Sequence, residues 1–315
     1  MLSRVTCLTV AAFLLGSLAI AAADEAPAKP KPASPSQFFD SNGVKIHYTV
    51  QGEGEPVLLI HGFTMNIAMQ WTGPGVLPEL AKQYQVIAID NRGHGRSGKP
   101  HEPEKYGLEM AEDQIRLLDH LGVKKAHVVG YSMGGFITSK LLTSHPDRVA
   151  TATLGGAGWT REGDQRVNTL NELADSLEAG KGIGPLIKHL TPAGQPQPTE
   201  DELRTINSMV MLMNDPKALA AVIRGMQGLM VPEEALRKNK VPTLALIGSI
   251  DPLKDGVDAM EEVMSQLEVV EIEGADHMNA PARPEFISNL KRFLAAHPIG
   301  KSAPQEVAEP VAAGK

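Results

Sequence analysis

Cysteine is nearly missing from the 315 residues of this chain, and its single example, Cys7, lies close to the start. The first 23 residues have the pattern of an export signal: Arg4, an uncharged and mainly apolar run over 5–20, and small residues at 21–23 before two acids. Once this segment is removed, the mature chain can have no disulfide, no thiolate nucleophile and no cysteine metal site. Cysteine-based catalysis is therefore excluded from the mature protein.

An uncleaved membrane anchor is the alternative for residues 1–23, because the uncharged run approaches membrane-spanning length. The small residues before the acidic pair favour cleavage of a signal peptide. We therefore predict an exported protein, periplasmic or secreted, with no stable membrane insertion after cleavage. Residues 24–35 are rich in Pro and Ala and are predicted to be a flexible spacer. Residues 298–315 contain few large apolar side chains and are predicted to be a disordered tail.

Acidic residues mildly outnumber basic ones, so the formal net charge is −7 and the pI is near 5.8. The chain therefore has no basic surface of the kind that binds nucleic acid, and we expect no such partner. A hydrophobic fraction of 42% and a charged fraction of 21% are typical of a globular protein. The length is sufficient for one large α/β domain, and the composition leaves the oligomeric state open.

Strand-like runs alternate with helical patterns along most of the chain. The predicted strands are 45–50, 56–60, 85–90, 126–129, 150–154, 241–247 and 267–272, and the predicted helices are 77–84, 109–121, 134–142, 257–266 and 284–296. This alternation predicts an α/β fold with a mostly parallel, doubly wound sheet of the eight-stranded type, covered by helices on both faces.

Residues 157–240 interrupt the alternation, because they contain helical patterns without a clear buried strand. The helices predicted there are 167–179, 200–213, 217–230 and 233–238. We predict a helical cap over the ligand edge of a core formed by 36–156 and 241–297. Five methionines of the cap could line an adaptable substrate pocket, although ordinary helix core is the favoured alternative for each: Met209, Met211, Met213, Met226 and Met230.

The segment Gly130-Tyr131-Ser132-Met133-Gly134 matches G-x-S-x-G between a predicted strand and a predicted helix. Such a sharp turn strains the backbone of the serine, and Gly130 and Gly134 remove the Cβ atoms that would clash. The turn would hold the Ser132 hydroxyl above the sheet at a helix N-terminus, which suits a nucleophile. A glycine-rich turn with an ordinary serine is the alternative from these five residues alone.

The strand at 56–60 leads directly into His61-Gly62-Phe63. The backbone N–H groups of Phe63 and Met133 could together form an oxyanion hole for a tetrahedral intermediate. His61 is favoured as a structural residue beneath this loop, because the donors are backbone groups and need no imidazole.

An acid and a base follow the last two predicted strands. Asp251 comes after 241–247, and His277 after 267–272, so the chain order is Ser132, Asp251, His277. Asp251 has the alternative role of a helix cap. Asp276 neighbours His277, but adjacent side chains usually diverge, so Asp251 is the better orienting acid. His94 is an alternative base, although its place before Ser132 favours a structural role.

These motifs together resemble the α/β-hydrolase fold family over residues 37–297. The matching segments are HGF at 61–63, DNRGHGRS at 90–97, GYSMGG at 130–135, GSIDP at 248–252 and GADHM at 274–278. Within the superfamily the chain is similar to serine esterases, enol-lactonases and cofactor-free haloperoxidase or perhydrolase relatives. The resemblance implies a serine nucleophile, where dehalogenase and epoxide hydrolase relatives have Asp, and the chain lacks the longer HGGG-type loop of some lipases.

The expected function is therefore hydrolysis of a small-molecule carboxylic ester or lactone through an acyl-enzyme on Ser132, which needs no metal and no organic cofactor. Two alternatives remain open. Hydrogen peroxide could replace water in deacylation, giving perhydrolase activity, or the fold could serve a small-ligand-binding protein without hydrolytic activity.

Overall fold

A computed structural model describes residues 36–161 and 166–300 of the chain. The predicted signal peptide at 1–23, the spacer at 24–35 and most of the predicted tail, from 301 onward, lie outside the described residues. At the start of the predicted tail, the backbone N–H of Ile299 donates to a carboxylate oxygen of Glu55 at 3.0 Å.

In the part of the chain that the structure describes, eight strands form a single sheet in the order β1-β2-β4-β3-β5-β6-β7-β8. They are β1 (Gln37–Ser41), β2 (Val44–Gln51), β3 (Pro56–Ile60), β4 (Gln85–Ile89), β5 (Ala126–Tyr131), β6 (Val149–Gly155), β7 (Thr243–Gly248) and β8 (Leu267–Ile272). β2 is antiparallel to both neighbours, and every other pairing in the sheet is parallel. The predicted mostly parallel, eight-stranded α/β fold is confirmed.

Ten α-helices of the described residues flank or extend this sheet. They are α1 (Val76–Leu80), α2 (Leu108–His120), α3 (Met133–Ser144), α4 (Arg166–Glu178), α5 (Gly184–His189), α6 (Glu200–Met213), α7 (Pro216–Gly225), α8 (Glu233–Arg237), α9 (Lys254–Glu261) and α10 (Pro284–Ala296). Helices α4 to α8 all lie between β6 and β7, in the segment predicted as a cap. Within the described residues, no helix is both long and apolar enough to cross a membrane.

The sheet is buried on both faces because its strands alternate between two apolar cores. Leu58 and Ile60 of β3 pack into the core that contains α2 and α3. Val57 and Leu59 point the other way, into the core that contains α1 and α10. Continuous apolar strands of this kind are the pattern of a parallel sheet covered by helices.

Several elements differ from the sequence prediction, including α1, which ends at Leu80 rather than at residue 84, and α7, which ends at Gly225 rather than at residue 230. The strand β1 was missed, although Asn42 and Gly43 after it, at φ 55° and 80°, are the Asn-Gly pair of a two-residue hairpin turn. The short helix α5 was missed as well. Helix α9 begins at Lys254 and ends at Glu261, so the predicted range 257–266 begins three residues and ends five residues too far along the chain. The chain after α9 leads into β8, and Val263 and Met264 in this connection are buried.

A buried ion pair fastens α2 to the loop after β4. The Arg92 guanidinium donates two hydrogen bonds of 2.7 Å to the two carboxylate oxygens of Asp113, and each side chain is 1% exposed. The Ser41 hydroxyl at the end of β1 donates to the same carboxylate at 2.5 Å. Burial raises the pKa of Asp113, and Arg92 opposes that effect. Each charge of the pair therefore compensates the other, and either one buried without its partner would destabilise the fold.

Removing the negative partner should destabilise the fold strongly. We expect Asp113→Asn to lower the free energy of unfolding by about 3 kcal/mol, since the buried Arg92 guanidinium then keeps only the partly exposed Glu109 carboxylate, 3.5 Å away, as a counterion. Urea denaturation at pH 7 measures this effect. Glu233→Gln, which breaks the exposed i,i+4 pair with Arg237, is the matched control and should cost about 0.5 kcal/mol or less. Equal losses in both variants would contradict the prediction.

Candidate active site

Ser132 stands at the turn between β5 and α3 with a strained backbone, φ 53° and ψ −118°. The turn is closed too tightly for side chains at its two glycines. A Cβ on Gly130 would lie 2.0 Å from the Gly134 carbonyl oxygen, and a Cβ on Gly134 would lie 2.0 Å from the Ile60 carbonyl oxygen. Glycine is therefore needed at both positions because neighbouring backbone atoms approach too closely for a Cβ. Within this turn only Ser132 has a positive φ.

The structure brings the predicted acid and base to this serine. Nε2 of His277 is 3.0 Å from the Ser132 hydroxyl oxygen, and Nδ1 of His277 is 2.9 Å from a carboxylate oxygen of Asp251. Because an ionised carboxylate can only accept, Nδ1–H donates to Asp251 and Nε2 is left to accept the hydroxyl proton. His277 and Asp251 are each 4% exposed, so water screens this chain of hydrogen bonds weakly.

The parallel sheet explains why these residues meet. β5, β7 and β8 all point the same way, and Ser132, Asp251 and His277 each follow the carboxyl end of one of them. The second carboxylate oxygen of Asp251 accepts the backbone N–H of Leu253 at 2.9 Å, which fixes the carboxylate plane.

Asp276 does not reach the imidazole of its neighbour. One of its carboxylate oxygens accepts the backbone N–H groups of Met278 and Asn279, each at 2.9 Å, so Asp276 closes its own loop. Asp251 is therefore the acid that contacts the base.

Tyr131 is a supporting residue that sequence reasoning missed. Its hydroxyl donates to the backbone carbonyl of His277 at 2.6 Å, and the two rings lie 5.5 Å apart. Burial, together with the nearby Asp251, raises the pKa of Tyr131 well above its usual value, so it remains a neutral donor. It stands at a variable position of the serine motif, where the pattern gave no signal.

Both alternative histidines are engaged in structural contacts. Nδ1–H of His61 donates to the Gly62 carbonyl at 2.7 Å, and Nε2 accepts the backbone N–H of Asn91 at 2.9 Å. Burial lowers the pKa of His61. His94 packs against the rings of His61 and Phe63, and burial beside His61 lowers the pKa of His94 to about 3. At neutral pH neither carries a charge, and within the described residues the Ser132 hydroxyl bonds to His277 rather than to either of them.

The predicted oxyanion donors lie beside the serine. Phe63 and Met133 line one cavity with Ser132, and no described residue accepts a hydrogen bond from either backbone N–H. Gly62 allows this approach, since a Cβ there would lie 3.2 Å from the Ser132 Cβ. Thr64, which follows Phe63, has a strained φ of 63°. Its carbonyl accepts a hydrogen bond of 3.3 Å from the side-chain amide of Asn214, which stands at the end of α6.

The cavity above Ser132 is mainly apolar and holds about 1160 Å³ of empty space, counting its open mouth. Most of its walls come from α3 and from the segment between β6 and β7, including Phe136, Leu173, Ile223 and Leu229, and Met260 of α9 completes them. His189 and Gln227 are among its few polar lining residues. Of the five methionines considered in the sequence, two line the cavity, Met226 and Met230. Met209 and Met213 are exposed on α6, while Met211 packs against the larger core.

Residues 36–161 and 166–300 contain no group of three His, Cys, Asp or Glu side chains placed to hold a metal ion.

Asp90 ties the loop that carries Phe63 to the loop after β4. One carboxylate oxygen accepts the backbone N–H of Ile67 at 2.9 Å, and the other accepts the N–H of Arg96 at 2.9 Å and Nδ1 of His47 at 2.8 Å. Burial acts to raise the pKa of Asp90, but these hydrogen bonds outweigh it and lower the pKa to about 2.

This lowered pKa predicts an acid sensitivity of the fold. The ordinary pKa is 3.8, so the stabilisation from Asp90 is present above pH 4 and is lost as the pH falls towards 2. Between pH 5 and pH 2, the wild-type free energy of unfolding should fall by about 2 kcal/mol more than that of Asp90→Asn. Urea denaturation across this range measures the difference. The exposed Asp147→Asn is the control and should keep the wild-type slope; an unchanged slope in Asp90→Asn would contradict the assignment.

Comparison with known proteins assigns the family. Residues 55–181 match the family described as the alpha/beta hydrolase fold. A 2-hydroxy-6-oxo-6-(2'-aminophenyl)hexa-2,4-dienoic acid hydrolase from Metapseudomonas resinovorans is 30% identical over 238 residues, which cover 73% of this chain and 79% of that protein. The chain belongs to the alpha/beta hydrolase family. The predicted resemblance is confirmed, and family membership supports a hydrolase.

Solved structures of other enzymes share this fold. An enol-lactonase from Burkholderia xenovorans LB400 aligns with a TM-score of 0.68 at 21% identity, over 82% of this chain and 100% of that one. Est816, an N-acyl homoserine lactone degrading enzyme, aligns with a TM-score of 0.65 at 26% identity, also over 82% and 100%.

Proposed function

We propose that this hydrolase cleaves a carboxylic ester or lactone through an acyl-enzyme on Ser132. The observation that carries the proposal is the continuous hydrogen-bond chain from Asp251 through His277 to the strained Ser132. The apolar cavity beside Ser132 supports an acyl group as the part of the substrate that is bound.

In the proposed reaction, His277 Nε2 takes the Ser132 proton while the hydroxyl oxygen attacks the carbonyl carbon. Asp251 holds the required tautomer and stabilises the imidazolium. The imidazolium then protonates the leaving alkoxide, the C–O bond breaks, and the acyl group stays on Ser132. Water, deprotonated by His277, attacks the acyl-enzyme; the acid leaves and the proton returns to Ser132.

Charge develops on the carbonyl oxygen during both steps. The N–H groups of Phe63 and Met133 are proposed to bind it, and Met133 adds the positive end of the α3 dipole. Losing one such donor typically costs about 3 kcal/mol of transition-state stabilisation. In this scheme the helices α4–α8 act as the cap that selects the substrate.

A fluorophosphonate probe tests the nucleophile directly, because it phosphonylates an activated serine. We expect intact-protein mass spectrometry to show one adduct on the wild type and none on Ser132→Ala. Ser144→Ala, at an exposed serine of the same helix, is the control and should still be labelled. A folded wild type that is never labelled would overturn the proposal, and labelling of Ser132→Ala would move the nucleophile elsewhere.

Replacing either acid near the base separates their roles. Asp251→Asn should lower kcat for ester hydrolysis by about 10⁴-fold, because His277 loses the partner that sets its tautomer. Asp276→Asn should change kcat much less, by about tenfold at most, since Asp276 contacts only backbone groups of its own loop. Steady-state kinetics on a short-chain 4-nitrophenyl ester measures both. Comparable losses in the two variants would refute the assignment of Asp251.

A further inference from the structure

Trp159 stands where the segment between β6 and β7 leaves the sheet. Its side chain lines the cavity together with Ser132, and it is only 6% exposed. Gly155, the last residue of β6, accepts the backbone N–H of Ser132 at 2.8 Å. The start of the segment is therefore fixed to the nucleophile, and Trp159 follows four residues later.

The backbone of Trp159 is held against α9. Its N–H donates to the Gly256 carbonyl at 2.8 Å. The two chain segments cross so closely that a Cβ on Gly158 would lie 2.1 Å from the Gly256 carbonyl carbon. Leu253 and Met260, before and after Gly256, line the same cavity. The indole ring therefore projects from a fixed point of the cavity wall.

The indole group reaches the chain where it comes back along the cavity. Nε1–H of Trp159 donates to the Val231 carbonyl at 2.9 Å, and Val231 is 7% exposed. No other described residue donates to that carbonyl. Pro232, the next residue, has no backbone N–H with which to anchor the chain. One hydrogen bond thus joins the outgoing chain at Trp159 to the returning chain at Val231.

The wall held by this bond consists of Leu229, Met230 and Val231, which all line the cavity. Leu229 and Val231 are buried, and Met230 is half-buried. A longer hydrogen bond of 3.4 Å, from Nζ of Lys140 on α3 to the Met230 carbonyl, also contacts this wall. The bond from Trp159 is the shorter of the two and lies in the buried part of the cavity.

The polar lining residues other than Ser132 do not alter the apolar character of this wall. The hydroxyl oxygen of Ser139 has less than 1 Å² of accessible surface. The remaining polar side chains of the lining are all at least partly exposed, and they are Thr160, Thr169, His189 and Gln227. The buried surface around Trp159 and Val231 therefore favours a hydrocarbon group over a polar one.

Loss of the indole N–H would leave the Val231 carbonyl buried without a partner. Water would then compete with a ligand for this part of the cavity, and the wall would have to be ordered when a ligand binds. Both effects weaken the binding of an acyl chain that reaches the wall. An acetyl group ends about 1.5 Å from its carbonyl carbon, so its binding would be affected little.

We propose that Trp159 is a positioning residue that fixes the wall at 229–231 through its bond to Val231 and thereby sets a preference for medium-chain hydrocarbon acyl groups over short ones. The inference rests on the proposed function for the reaction that is measured. Trp159 acts on the shape of the cavity and takes no part in the chemistry at Ser132.

Trp159→Phe tests the inference, because it keeps an aromatic ring and removes the N–H. We expect the ratio of kcat/KM for 4-nitrophenyl octanoate to that for 4-nitrophenyl acetate to fall about tenfold, while kcat/KM for the acetate stays within about twofold of the wild type. A variant that merely lost folded enzyme would lower both values equally. An unchanged ratio would overturn the inference.

The second of the chain's two tryptophans supplies the matched control. Trp71 is fully buried in the core that contains α1 and α10, and it does not line the cavity. Its Nε1–H has no partner among the described residues. Trp71→Phe removes the same atoms without breaking a hydrogen bond, so it should keep the wild-type ratio. An equal fall of the ratio in both variants would contradict the role of the bond to Val231.

Binding to the inactive Ser132→Ala protein separates the inference from hydrolysis. Titration calorimetry should show that methyl octanoate binds about tenfold more weakly to Ser132→Ala/Trp159→Phe than to Ser132→Ala, and an equal Kd would overturn the inference. If Trp159→Phe does not fold, tryptophan emission of Ser132→Ala/Trp71→Phe decides, since it comes from Trp159 alone. Methyl octanoate should change this emission, and saturation without a change would overturn the inference. A wild type that binds methyl octanoate but hydrolyses no ester would instead contradict the proposed function.

Discussion

The close approach of three backbone segments around Ser132 is the constraint on which the site depends. The chain must pass from β5 into α3 within one residue, while α3 rests against the end of β3 at Ile60. Gly130 and Gly134 permit contacts that any Cβ would block. Ser132 then takes the positive φ that remains, at a typical cost of about 1–3 kcal/mol. That strain is maintained because the two cores on either side of the sheet hold β5 and α3 in place.

Once the serine is held above the sheet, parallel pairing brings the remaining groups to it. The carboxyl ends of β3, β5, β7 and β8 share one edge, so the loops after them supply the Phe63 N–H, the hydroxyl, the acid and the base. Buried contacts beneath these loops fix them further, with Asp90 under one and Tyr131 under another. A site assembled this way is organised before a substrate arrives, and this is the condition for electrostatic stabilisation of a transition state.

The sequence allowed the sheet and the meeting of Ser132, Asp251 and His277 to be predicted, because strand–turn motifs are local and parallel strands share an edge. Other features depended on tertiary contacts. The five residues of β1 carry little signal beyond the Asn-Gly turn, and α5 is only six residues long. Nothing in the pattern singled out Tyr131, because only the folded structure shows that its hydroxyl reaches the His277 carbonyl.

Helix α3 contributes to both parts of the candidate site. It begins directly after Ser132, and Met133 and Phe136 of its first turn line the cavity. The positive end of its dipole therefore lies beside the serine, where the proposed reaction would develop negative charge. The other lining residues come from several elements, among them α4, α5, α7 and α9, so substitutions there can reshape the cavity without moving Ser132.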